Sequence, residues 1–296
     1  MEKTSKKAFI KYNNRIVPKP EGMDYYLTSG KVYDLRYSSG IGTYLEEGKD
    51  FEFPKNYILS EEDNRFVNKT ISAFNNTTKM TTGVMLSGTK GSGKTLMAKY
   101  IAMQTGLPVI VIDPAVHSSD CEEFFSKTDT PCCMIFDEID KYWNVSRLLT
   151  FLDGVRPTCK KLVVCTCNKE KDIDEYLNDR CSRIRYKKIF TSLDRTAAKA
   201  VISDIVGDEQ KAEEATNYLF DNAKLISYDN TMIFAEEIRN NPTESLDTIF
   251  SDLNMTSTKE EQEKNVYEKL KEKVTESLAN MDPFSNDDCC ECCCAG

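Results

Sequence analysis

Eight consecutive residues, Gly88-Thr89-Lys90-Gly91-Ser92-Gly93-Lys94-Thr95, constrain this chain more than any other feature. They satisfy G-x-x-x-x-G-K-[ST] at every fixed position, follow the apolar run 83–87 and precede an amphipathic segment, so the loop links a buried strand to a helix. Glycines let the backbone wrap until successive N–H groups point inward, and the helix start adds the positive end of its dipole; both favour a chain of phosphates. Lys94 is then placed to reach the β and γ phosphates of a nucleotide, and the Thr95 hydroxyl to ligate Mg²⁺. ATP and Mg²⁺ are the expected ligands.

A strand, loop and helix of this kind belong to a parallel sheet covered by helices. Apolar runs at 83–87, 109–113, 132–137, 162–167 and 184–190 predict five buried strands, the last more polar and so an edge. The expected fold class is α/β, a P-loop NTPase with a five-stranded parallel sheet followed by a small all-α lid. Four domains are predicted. Residues 1–58 form a basic arm (Lys3, Lys6, Lys7, Lys11, Arg15, Lys19) and a compact β-rich appendage. Residues 59–192 form the nucleotide-binding core, entered by a helix over 60–75 with a Ser60 cap. Residues 193–256 form the lid, with helices near 194–206, 209–221, 231–240 and 243–254 capped by Asp194, Asp208, Asn230 and Thr243. Residues 257–296 form a charged helix and a tail with Cys289, Cys290, Cys292, Cys293 and Cys294, read as a thiol tail because five packed cysteines cannot converge on one tetrahedral ion.

The run Cys132-Cys133-Met134-Ile135-Phe136 ends in Asp137-Glu138-Ile139-Asp140, so two acids emerge at the carboxyl end of a buried strand, where open α/β sheets bind ligands. Asp137 is expected in the Mg²⁺ shell, and Glu138 to orient and polarise the water that attacks the γ-phosphate. The next buried strand ends in Asn168, a neutral amide able to hold that water or sense the γ-phosphate without adding charge.

These residues resemble the AAA+ ATPase family. Leu148-Leu149-Thr150-Phe151-Leu152-Asp153-Gly154 is similar to that family's leucine-rich helix and Asp-Gly turn, Asn168 falls at its sensor 1, and Arg180-Cys181-Ser182-Arg183-Ile184 is similar to its arginine-finger segment. The resemblance implies an ATPase whose Arg180 or Arg183 completes the site of a neighbouring copy, hence a homo-oligomer, most often a hexameric ring, acting on a protein or nucleoprotein. The short chain and its Tyr/Phe-rich front end resemble AAA+ proteins of large bacteriophages. Two departures stand out. The interval Pro114-Ala115-Val116-His117-Ser118-Ser119-Asp120 lacks the aromatic-Gly pore loop of many unfoldases, and Ser227-Tyr228-Asp229-Asn230-Thr231-Met232 offers no lid arginine, with Arg239 too far along. His117, the one histidine, matches no triad or metal spacing and reads as a surface loop residue.

Composition narrows the setting. A formal net charge of −9 argues against a chain-wide nucleic-acid surface while leaving room for a local one. Seven of the 12 cysteines are scattered through the expected core and no apolar leader is evident, which fits a reducing cytoplasm. No apolar run approaches the roughly 20 residues of a membrane span. Two other readings stay open: a clamp-loader-like accessory of DNA replication, supported by the arginine segment and basic arm, and a P-loop kinase or nucleotide-gated binding module with little turnover.

Overall fold

The computed structural model describes residues 9–12, 14–18, 26–53, 59–78, 81–142, 152, 159–168, 181–258 and 271. Most of the basic arm, the 148–154 segment apart from Leu152, Arg180, nearly all of the charged helix and the cysteine tail lie outside the described residues.

Nine strands form one sheet: β1 (Phe9–Tyr12), β2 (Arg15–Pro18), β3 (Val32–Ser38), β4 (Gly42–Glu47), β5 (Thr81–Gly88), β6 (Val109–Ile112), β7 (Cys132–Phe136), β8 (Lys161–Cys167) and β9 (Ile184–Phe190). Their order is β1-β2-β4-β3-β6-β7-β8-β5-β9. The five strands read from the sequence are β5 to β9, all parallel, with β9 at the edge. Polar side chains at alternate positions of β9, among them exposed Arg185 and Lys187, suit an unpaired edge. The sheet is wider than five because β3 adds to β6 in parallel, Leu35 facing Ile112, while β1, β2 and β4 continue outward in antiparallel pairs. Val32, Tyr33 and Leu35 supply the buried side chains that seat β3 on the core.

Helices α1 (Glu61–Asn76) and α2 (Lys94–Gln104) cover one face, over Val84, Leu86, Ile135 and Val164. Helices α3 (Ser118–Ser126) and α4 (Ile139–Tyr142) cover the other, where Phe124, Phe125 and Ile139 pack with Met134 and Val163. Both faces of the central strands are thus dry, which explains their uninterrupted apolar runs. Burial also silences the thiols: desolvation pushes Cys132 up to about 12, against the pull of Lys161.

Beyond the sheet, α5 (Arg195–Val206), α6 (Glu209–Asn222), α7 (Tyr228–Asn240) and α8 (Leu246–Asp252) pack around fully buried Phe234, with Ile202, Leu219 and Phe250. A ring buried to this degree contributes about 1.5–3 kcal/mol. Asp194 and Asp208 cap α5 and α6. The expected caps Asn230 and Thr243 are displaced. Ser227, extended and three residues upstream, accepts the Asn230 N–H at 3.1 Å, so α7 starts at Tyr228 and Asn230 lies inside it. Ser245 does the same for Thr248, and α8 is shorter than read. Among the described residues no helix is long and apolar enough to cross a membrane.

Candidate functional site

The phosphate loop departs β5 at Gly88, whose φ of 138° no ordinary side chain adopts readily; a Cβ there would meet the Phe190 carbonyl oxygen at 2.0 Å. The glycine therefore allows β9 to close against β5 at the mouth of the loop. Gly91 is left-handed at φ 71°, and a Cβ on it would press on the Ser227 hydroxyl at 3.3 Å, so the loop leaves a cradle that the lid approaches. The α7 N-terminus docks here as well, the Asp229 N–H donating to the Gly91 carbonyl at 3.3 Å. Thr89 and Lys90 are exposed at the crest, Ser92 is buried, and Gly93 precedes α2 in a left-handed conformation with no side-chain cap. The first N–H groups of α2 are thereby left to a ligand.

Lys94 is only 6% exposed. Its ammonium donates to the Thr89 carbonyl at 2.5 Å and the Ser92 hydroxyl at 3.4 Å, both within the loop. Burial lowers its pKa below the usual lysine value although Asp137, Cys167, Asp140 and Glu138 pull upward. A buried ammonium whose hydrogen bonds stay inside a glycine loop fits a phosphate seat. Thr95 donates to Asp137 across 3.0 Å, pairing a hydroxyl and a carboxylate as hard oxygen donors. This is the donor set Mg²⁺ uses when phosphates and water complete its shell. Among the described residues no cluster of three His, Cys, Asp or Glu forms a separate metal cage.

Thr166, which sequence reasoning passed over, ties the acids together. Its hydroxyl donates to Asp137 Oδ1 and accepts the Glu138 N–H at 2.9 Å. The only clue was a hydroxyl in the otherwise apolar run 162–167. Glu138 has φ 48°, the one positive value outside glycine among the described residues. Such a conformation costs on the order of 1–3 kcal/mol and persists where the surroundings enforce it. Asn168 donates to Glu138 Oε1 at 2.9 Å, and Asp140 accepts the Asn168 backbone N–H at 3.0 Å. Lys141 pairs with the same Oε1 at 2.5 Å. That bond keeps the Glu138 carboxyl below the ordinary glutamate range against the opposing effect of burial, with help from Asn168.

A cavity of about 260 Å³ opens beside the loop, between Leu59 and Ser60 ahead of α1, Ser92, Gly93 and Met97, Phe190 of β9, and Tyr228 of the lid. Lys188 ties β9 to α1 there through Asp63 at 2.8 Å and Glu62 at 3.1 Å. Arg183 is half-buried at the amino end of β9, whereas the phosphate loop is at the carboxyl end of β5, so the structure does not bring this arginine to its own chain's loop. His117 is exposed just before α3.

Residues 84–189 match the model of the AAA family, "ATPase family associated with various cellular activities". The chain is 32% identical over 118 residues to a putative cell division cycle ATPase of Plasmodium falciparum, covering 32% of this chain and 10% of that protein. It is 30% identical over 125 residues to the chloroplastic ATP-dependent zinc metalloprotease FTSH 2 of Arabidopsis thaliana, covering 33% and 18%. Against the ATP-dependent zinc metalloprotease FtsH 3 of Synechocystis sp. it is 28% identical over 125 residues, covering 33% and 20%. The chain thus spans between 10% and 20% of the length of these relatives, and they lend the bacteriophage likeness no support.

Proposed function

From the premise that residues 84–189 form an AAA-family ATPase domain, we propose that the chain hydrolyses ATP with Mg²⁺ and couples turnover to remodelling of a protein or nucleoprotein partner. The observation that carries the chemistry is an unbroken set of contacts from loop to acids. Thr95 reaches Asp137, Thr166 joins Asp137 to Glu138, and Asn168 holds the Glu138 carboxylate.

In this reading the backbone N–H groups of 88–95 and the Lys94 ammonium bind the β and γ phosphates, while Thr95 and Asp137 hold Mg²⁺. Bound Mg²⁺ supplies charge neutralisation on the phosphate oxygens. Glu138 orients the attacking water and accepts its proton, and Asn168 keeps the carboxylate aimed. The cavity beside Met97 and Tyr228 takes the base and ribose, so the lid feels the nucleotide directly through Tyr228 and through Ser227 and Asp229 on the Gly91 loop.

AAA proteins typically assemble into oligomers, and we propose a homo-oligomeric, hexameric ring in which Arg183, with Arg180 as the second candidate, serves the site of the adjacent copy. The proteolysis named for the FtsH relatives is not carried over. Buried thiols at Cys121, Cys132, Cys133 and Cys165 suit a reducing cytoplasm.

The test is release of phosphate from ATP by purified protein with Mg²⁺, compared with Lys94→Ala. Activity that survives Lys94→Ala, or a parent that binds no ATP, sinks the proposal. Mixing Arg183→Ala with Lys94→Ala subunits should restore turnover that neither has alone; continued silence would place the arginine outside the chemistry.

A further inference from the structure

Glu138 Oε1 accepts two donors from different elements: the Asn168 amide at the end of β8, at 2.9 Å, and the Lys141 ammonium of α4, at 2.5 Å. Lys141 is tied to Glu138 a second time through its backbone, its N–H donating to the Glu138 carbonyl at 2.9 Å. Among the described residues Glu138 Oε2 takes no hydrogen bond, and Glu138 is the ion-pair partner of Lys141. From this geometry we propose that Lys141 is a positioning residue for ATP hydrolysis, fixing the Glu138 carboxylate so that Oε1 is saturated and Oε2 faces the attacking water. The inference rests on the ATPase reading above and deepens it.

The torsion that turns a glutamate carboxylate is broad and nearly two-fold, so a single amide donor leaves it free to swing or exchange its oxygens. Two donors converging on one oxygen, one from α4 and one from the end of β8, remove that freedom. The left-handed backbone of Glu138 sets where the side chain starts, and Lys141 with Asn168 sets where it ends. The same ammonium lies against the Tyr142 ring, 6.0 Å from its centroid. A purely structural pair is a poor explanation. The side chains of Lys141 and Glu138 are 35% and 30% exposed, and ion pairs in contact with water contribute little to stability.

The test is steady-state kinetics on Lys141→Ala, Lys141→Met and Lys141→Arg. Displacing a reacting group by a fraction of its range costs up to about a hundredfold, so kcat for the Ala and Met variants should fall between about tenfold and a hundredfold with KM for ATP and the thermal midpoint unchanged. Lys141→Met keeps an unbranched chain of similar length and separates lost charge from lost packing. Lys141→Arg, still a donor to Oε1, should retain most of the parental kcat. Adding Lys141→Ala to Glu138→Gln should lower turnover no further. A folded, ATP-binding Lys141→Met variant with parental or higher kcat overturns the proposal, as does a further loss in the Glu138→Gln background. Full turnover in Glu138→Gln alone would remove Glu138 from the chemistry, whereas a parent that neither binds nor hydrolyses ATP would remove the ATPase reading itself, so these failures are told apart.

Discussion

Helices α2 and α7 meet at Gly91, and their N-termini are finished in opposite ways. The start of α7 is sealed by its own Ser227 hydroxyl, as α5, α6 and α8 are by Asp194, Asp208 and Ser245. The start of α2 follows a left-handed Gly93 and has no side-chain cap. Strain divides the same way. The positive-φ glutamate and three positive-φ glycines, Gly88, Gly91 and Gly93, all belong to the sheet's carboxyl end, whereas Gly207 is the one positive-φ residue described within the lid. The lid satisfies itself; the core leaves donors open and backbone strained where a ligand can repay both.

That contrast predicts substitutions with separable consequences. The largest effect is expected for Glu138→Gln, which keeps shape and removes the base: kcat should drop by about 10²–10⁴ while ATP binding, read by equilibrium titration, persists. Thr166→Val should follow. Losing the bridge between Asp137 and Glu138 should lower kcat about 10–100-fold and weaken the Mg²⁺ dependence, as measured by metal titration of turnover. Ser227→Ala touches both regions. It should lower stability by about 1 kcal/mol through the lost cap and raise KM for ATP through the loosened contact with Gly91. Smallest is Asp208→Ala, expected to cost about 1 kcal/mol, a shift of about 2–4 °C in the melting midpoint, with kcat and KM unaltered. If calorimetry and kinetics instead showed Asp208→Ala slowing turnover as much as Thr166→Val, the division between a self-contained lid and an open core would be broken.

What could be read in the chain follows from how local each cause is. The loop 88–95 and the pair Asp137-Glu138 are contiguous, and the apolar runs before them announce buried strands by themselves. Asp194 and Asp208 were legible as caps because each stands immediately before its helix. Asn230 misled for the opposite reason: the first turn of α7, Tyr228-Asp229-Asn230, is polar enough to pass for loop, and only the Ser227 geometry moves the start. The joining of β3 to β6 was hidden, since Val32-Tyr33-Asp34-Leu35 looks the same whether it packs in an appendage or extends the core sheet. Arg180, the 148–154 segment apart from Leu152, and the cysteine tail lie outside the described residues.

By itself the sequence determined the phosphate loop, the acids behind it, the parallel strands that carry them and a helical segment after them, because spacing within a few residues dictates those features. Tertiary structure alone decided that Thr166 bridges Asp137 to Glu138, that Lys141 and Asn168 share one carboxylate oxygen, and that Ser227 faces Gly91. Those contacts depend on strand register, on the left-handed turn at Glu138 and on the docking of the lid. Each is a balance of packing and strain over residues far apart in the chain, which no local pattern records.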